Sequence, residues 1–197
     1  MHYSEGRLGR VFVLRIDDGE DFLAVTQKFV QDKSVKSGTI LFLGALRKGR
    51  MVTGPEEPTI PPEPHYIMFE GGWEMVGIGT IYPGDDGPAI HYHATVGRAG
   101  HALTGCLREK AVTYIVAEAV ILEFTGLDIH RGLDEKTGVS LPIHGKPDGI
   151  GPQSPPSSGK GISPAESAPE EKGEKEEEDV SGGLAEIIRD LTRRPRA

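Results

Sequence analysis

Ile90-His91-Tyr92-His93-Ala94-Thr95-Val96-Gly97-Arg98-Ala99-Gly100-His101 holds three of the chain's seven histidines within eleven residues. A strand, a loop and a returning strand account for this stretch, and that makes the surrounding domain antiparallel β. Side chains two apart on a strand share one face, so His91 and His93 point the same way with Cα atoms about 7 Å apart, a metal-ligand spacing. Val96-Gly97-Arg98-Ala99-Gly100 reads as a five-residue hairpin loop, which sets Thr95 opposite His101. Opposed residues share a face, so three imidazoles converge. A loop one residue shorter would turn His101 away.

Three neutral imidazoles with an open fourth position commonly hold catalytic zinc, whereas closed structural sites usually add cysteine. Cys106 is the single cysteine, so a closed cysteine-rich site is excluded. With apolar neighbours beyond the histidine strand, it reads as a buried small residue rather than a nucleophile. The plainer alternative for His91 and His93 is a pair of polar residues on a solvated face. His65, His130 and His144 lie in or beside turns with no partner at ligand spacing, and read as surface residues.

Outward from the hairpin the elements follow in order. Arg10 to Ile16, rich in Val, Phe and Ile, reads as a strand. Asp17 and Asp18 offer a cap for a helix over 20–32, whose Phe22, Val25, Phe29 and Val30 make one apolar face. Thr39 to Leu46 reads as a buried strand, and the Pro-rich 55–64 as a loop. His65 to Glu70 and Trp73 to Tyr82 read as strands separated by Gly71-Gly72. Pro83 to Pro88 is turn chemistry throughout. Residues 111–124 are ambiguous between helix and strand. Val112, Tyr114, Val116, Val120, Leu122 and Phe124 fall at period 2, so a long strand bent near Ala117 is expected. The sum is an α+β domain, a mostly antiparallel sheet of about six or seven strands packed on one main helix.

Two charged residues interrupt apolar strands. Arg15 is suited to hold an anionic group or, alternatively, to pair with Glu20 or Glu118. Glu118 shares the period-2 apolar face, where a carboxylate is either ion-paired or part of a site. Both are candidate ligand-binding residues.

The folded unit is expected to span 7–147. Beyond it, 148–180 is Pro-, Gly- and Ser-rich and then acidic, with too little apolar surface to offset its ordering entropy, and reads as a disordered linker. Leu184, Ile187, Ile188 and Leu191 mark a short amphipathic helix within 181–197, before a basic end. The chain carries −8 overall, about equally divided between the segments either side of residue 148. This counts against a protein that binds nucleic acid mainly through phosphates, and DNA binding is expected to be weak. A lone cysteine suits a reducing interior. With no apolar run long enough for a membrane span and no signal-like N-terminus, a cytoplasmic location is expected.

The segment Tyr82 to Phe124, with Pro-Gly-Asp-Asp-Gly-Pro-Ala-Ile-His-Tyr-His-Ala, Gly100-His101-Ala-Leu-Thr-Gly and Val116-Ala-Glu118-Ala-Val-Ile, resembles the PPC (plants and prokaryotes conserved) domain family. Val13 to Asp21 and Leu43-Gly44-Ala45 resemble its opening strand, helix and second strand, so the likeness covers about residues 8–130. The resemblance implies a compact α+β homotrimer, similar in fold to acetolactate decarboxylase, in which three histidines hold zinc. Carried over, it implies His91, His93 and His101 as metal ligands. It supplies no reaction, and prokaryotic members are often described only as DNA-binding by expectation. The minor-groove Arg-Gly-Arg-Pro core of plant members has no match, since Arg193-Arg194-Pro195-Arg196 lacks the glycine. The expected protein is therefore a zinc-binding PPC domain that binds or converts a small anionic ligand. The alternative is a regulatory DNA-associated or protein-interaction module without catalysis.

Overall fold

The computed structural model describes residues 1–55 and 57–145. The expected linker over 148–180 and helix within 181–197 lie outside them.

Strand β1 (Arg7–Asp17) leads into helix α1 (Phe22–Asp32). The cap is Asp21, whose side chain accepts from the Leu23 amide at 3.1 Å, and not the expected Asp17 or Asp18. Asp17 closes a turn by accepting from the Glu20 amide, and Asp18 accepts from the distant amide of Ile115. Four long strands follow: β2 (Ser37–Val52), β3 (Tyr66–Gly84), β4 (Gly87–Arg98) and β5 (His101–Thr125). The expected break at Gly71-Gly72 is absent. One strand runs through, with Gly71 at φ 100° absorbing a kink that a residue with a Cβ would resist.

All pairings are antiparallel, in the order β1-β5-β2-β3-β4, and β4 also pairs with β5. That last ladder closes β5, β2, β3 and β4 into a barrel. Its interior is filled by Ile40, Phe42, Met51, Ile81, Tyr92, Ala94, Val96, Leu107 and Ile121. The helix covers this core with Phe22, Thr26 and Val30, one residue per turn. Phe22 lies 4.8 Å from Phe42 and 6.0 Å from Tyr92 between ring centroids. The Thr26 and Tyr92 hydroxyls meet at 2.8 Å within the core.

Residues 111–124 are strand, as period 2 indicates, but the core face differs from the expected one. From Val116 onward Ala117, Ala119 and Ile121 face inward, and Val116, Glu118, Val120 and Leu122 alternate with them. The switch comes from an irregularity two residues before the expected bend. Ile115 has φ 63°, and the β2–β5 register shifts between Gly44 and Leu46. Small residues also let the strands close up here. A Cβ on Gly44 would collide with the Val116 carbonyl and the Ala117 backbone.

A separate two-stranded sheet, β6 (Ile129–Asp134) with β7 (Val139–His144), follows β5. His130 and His144 therefore lie on strands rather than in turns. Among the described residues no helix is long and apolar enough to cross a membrane.

Candidate metal centre

The position of every site residue follows from the turn between β4 and β5. Only Ala99 and Gly100 form it, both left-handed at φ 48° and 83°, and Arg98 pairs with His101. Positive φ at both central residues suits the right-handed strand twist of a two-residue hairpin. The expected five-residue loop is thus corrected. Gly97 and Arg98 belong to β4, and Thr95 lies opposite Thr104 with hydroxyls 2.9 Å apart.

His101 consequently falls in the register set of Tyr92 and Val96, on the other side of the ladder from His91 and His93, and is exposed. The residue opposite His93 is Cys106. Its Sγ lies 2.9 Å from His93 Nε2 and 3.1 Å from His91 Nε2. The two imidazole rings stand edge-on, 5.0 Å between centroids. His91, His93 and Cys106 are the one such group among the described residues, with their ligand atoms all within 4.8 Å of one another.

The cluster lies on the outer face of the barrel, along one register row. Val13 pairs with Val120, Val120 with Leu41, Leu41 with Ile78, Ile78 with His93, and His93 with Cys106. The next row runs Arg15, Glu118, Leu43, Val76, Thr95, Thr104. Arg15 and Glu118 are therefore direct cross-strand partners, but three strands separate Glu118 from Thr104. They do not reach the histidines, and Arg15 Nε donates to Asp17 Oδ1 at 2.9 Å instead. Glu118 is exposed and makes no ion pair among the described residues.

His91 is half-buried, and its pKa falls to about 4, first through desolvation and then through Arg131, Arg108 and His93. Its ring is therefore neutral at neutral pH, the form that coordinates metal. Arg131, on β6, donates from Nη2 to Thr80 Oγ1 at 3.1 Å, and Thr80 pairs directly with His91. Two clefts, of about 300 and 400 Å³, border Arg131 but do not reach the His–Cys cluster. Donor chemistry at the cluster weighs more than concavity here, because a metal site on a strand face needs converging ligands rather than a deep cavity.

Sequence reasoning missed Cys106 because Gly97 and Arg98 were assigned to the loop. Ala99 carries no turn signal of its own. Centring the turn on Ala99-Gly100 would have placed Cys106 opposite His93.

Solved structures share the fold. A metal-containing protein from Archaeoglobus fulgidus is 25% identical, with a TM-score of 0.66 over 73% of this chain and 100% of that one. A plant- and prokaryote-conserved protein from Pyrococcus horikoshii is 26% identical, with a TM-score of 0.64 over 74% and 99%. A candidate DNA-binding protein from Bacteroides thetaiotaomicron, 21% identical with a TM-score of 0.60 over 72% and 97%, shares the fold alone. No curated protein matches. The model of the Plants and Prokaryotes Conserved (PCC) domain matches residues 3–125, from the strand before α1 to the end of the one that carries Cys106, and the chain belongs to that family.

Proposed function

We propose that this protein binds a divalent metal, zinc above all, through His91, His93 and Cys106. The observation that carries this reading is the meeting of one thiol and two imidazole nitrogens at 2.9 and 3.1 Å on adjacent strands. Tetrahedral coordination with Zn–N about 2.1 Å and Zn–S about 2.3 Å sets neighbouring donors about 3.5 Å apart, so a small expansion admits the ion. Three protein ligands leave a fourth position for water or a small anion, where zinc acts as a Lewis acid or lowers the pKa of bound water. The metal-containing relative from Archaeoglobus fulgidus supports the same reading. A cysteine ligand also suits a reducing, cytoplasmic setting. The likeness to acetolactate decarboxylase belongs with this proposal, supported by a small antiparallel barrel that carries histidines on a strand.

The outer face suggests assembly. Val11, Val13, Leu41, Leu43, Val76 and Ile78 are 43–80% exposed on β1, β2 and β3, and Val120 of β5 joins Val13 to Leu41. Such a contiguous apolar field suits an interface between copies, and a homotrimer is proposed to cover it.

Metal analysis of untagged protein tests the main reading, with stoichiometric zinc expected. Protein that carries no divalent metal, and takes up none at micromolar concentration and mildly alkaline pH, would sink it. A second reading is DNA association, favoured by the candidate DNA-binding protein that shares the fold. The net charge of −8 leaves few phosphate contacts, so binding should be poor near physiological salt. Tight, sequence-dependent gel shifts at about 150 mM salt would reverse this order.

A further inference from the structure

Sheet β6–β7 lies beyond the matched residues 3–125, yet it delivers a guanidinium to the candidate metal centre. Arg131 is fixed by Thr80 Oγ1 and by the Ser140 carbonyl, both at 3.1 Å, and packs 6.0 Å from the Tyr82 ring centroid. Its Nε is buried with no hydrogen-bond partner among the described residues. Arg108 lies two residues past Cys106 on β5 with the inward-facing Leu107 between them, so it shares the outer face of the thiol. Opposite Arg108 stands Arg50, whose own guanidinium is taken by Glu109.

Neither Arg108 nor Arg131 has a carboxylate within ion-pair distance among the described residues, whereas Arg10, Arg15, Arg47 and Arg50 each do. Thr80, which holds Arg131, is the cross-strand partner of His91, so both guanidinium groups border the outer face that carries the His–Cys cluster. A half-buried guanidinium such as that of Arg131 is costly without a counter-ion, and the planar guanidinium fork matches the two oxygens of an oxyanion. Arg131 also lines two clefts, one beside Pro83 and one beside Ile90.

We propose that Arg131 and Arg108 form, beside His91, a binding site for a small oxyanion of the carboxylate or phosphate class. This rests on the metal reading for one of its contacts: a metal held by His91, His93 and Cys106 would offer its open position to one oxygen of the anion, and the guanidinium groups would hold the others. It assigns the anion to Arg131 and Arg108 rather than to Arg15 and Glu118, and gives the β6–β7 extension a role in ligand choice.

Calorimetric titration of the full chain with malonate and, separately, inorganic phosphate tests this, with zinc-loaded and metal-free protein as parallel arms. Malonate should bind the zinc-loaded protein, and the comparison with phosphate identifies the source of the oxyanion. R131Q and R108Q should each weaken that binding at least tenfold while zinc content stays at the wild-type level. R108Q changes an exposed side chain and guards against misfolding of R131Q. If the protein proves to bind no metal, the metal reading fails by itself; anion binding to the metal-free chain that both substitutions weaken would still uphold the arginine site. Wild-type protein that binds neither anion in either arm, or binding that both substitutions leave unchanged, overturns it.

Discussion

His93 and Cys106 are direct cross-strand partners, Nε2 and Sγ 2.9 Å apart, because the β4–β5 hairpin turns in two residues. His91, two residues before His93 on the same face, reaches the same sulfur at 3.1 Å. One hairpin thus supplies all three donors, and its register decides which residues they are. A register shift of one residue would set Gly105 or Leu107 across from His93 and take the thiol away.

Substitution should separate the ligand set of the structure from the all-histidine set. Cys106→Ser, His91→Ala and His93→Ala are each expected to lower zinc affinity by at least tenfold, about 1.4 kcal/mol. His101→Ala and His65→Ala should leave zinc content unchanged, since His101 stands opposite Arg98 at the far end of the hairpin. Loss of zinc on His101→Ala with retention on Cys106→Ser would restore the three-imidazole arrangement.

A charge placed in the exposed apolar rows should break the proposed assembly without unfolding the chain. Leu43 and Val76 are cross-strand partners on β2 and β3, 54% and 61% exposed. Leu43→Glu with Val76→Glu sets like charges side by side in an interface that would bury them. Light scattering should read a trimer for the wild type and a monomer for the double substitution. A wild-type monomer contradicts the assembly.

The α+β class, the antiparallel sheet, the helix and the strand character of 111–124 are legible in the sequence because each rests on a hydrophobic period. The features the sequence hid are set by single backbone positions. The turn at Ala99-Gly100 needs positive φ at an alanine, and Ile115 adopts φ 63° despite its β-branch, so neither residue type signals its conformation. The first hides Cys106 as a candidate ligand, and the second reverses the core face of β5. Arg131 was invisible for another reason: its approach to His91 depends on how a second sheet packs on the first, which no local pattern encodes.

Arg10 and Glu123 provide an acid-sensitive tie between β1 and β5. Arg10 Nε and Nη2 donate to the two carboxylate oxygens at 2.7 and 2.6 Å, and these bonds hold Glu123 below the usual carboxylate range. A carboxylate with a depressed folded pKa contributes stability above its unfolded pKa and loses it as pH falls through the folded value. The wild type should therefore lose stability below about pH 4.3, the ordinary glutamate value. Arg10→Leu should flatten that loss in urea unfolding at stepped pH. Parallel slopes for the two proteins would show that the pair carries no linkage.

The hydroxyl pair of Thr26 and Tyr92 gives an asymmetric prediction inside the core. Thr26 Oγ1 donates to the Phe22 carbonyl at 2.6 Å, so its one proton is committed and Tyr92 must be the donor across the 2.8 Å contact. Burial pushes the Tyr92 phenol up, which keeps it protonated for that role. Tyr92→Phe removes the donor and leaves Thr26 bonded to its own helix, a cost of about 0.5–1.5 kcal/mol. Thr26→Val instead strands a buried phenol proton, and should cost more, about 1–3 kcal/mol. Adding Tyr92→Phe to Thr26→Val should recover part of that loss, because no unpaired polar group then remains. Urea midpoints at constant slope read all three. If Tyr92→Phe costs more than Thr26→Val, the proton runs the other way and the helix, rather than the barrel, depends on this contact.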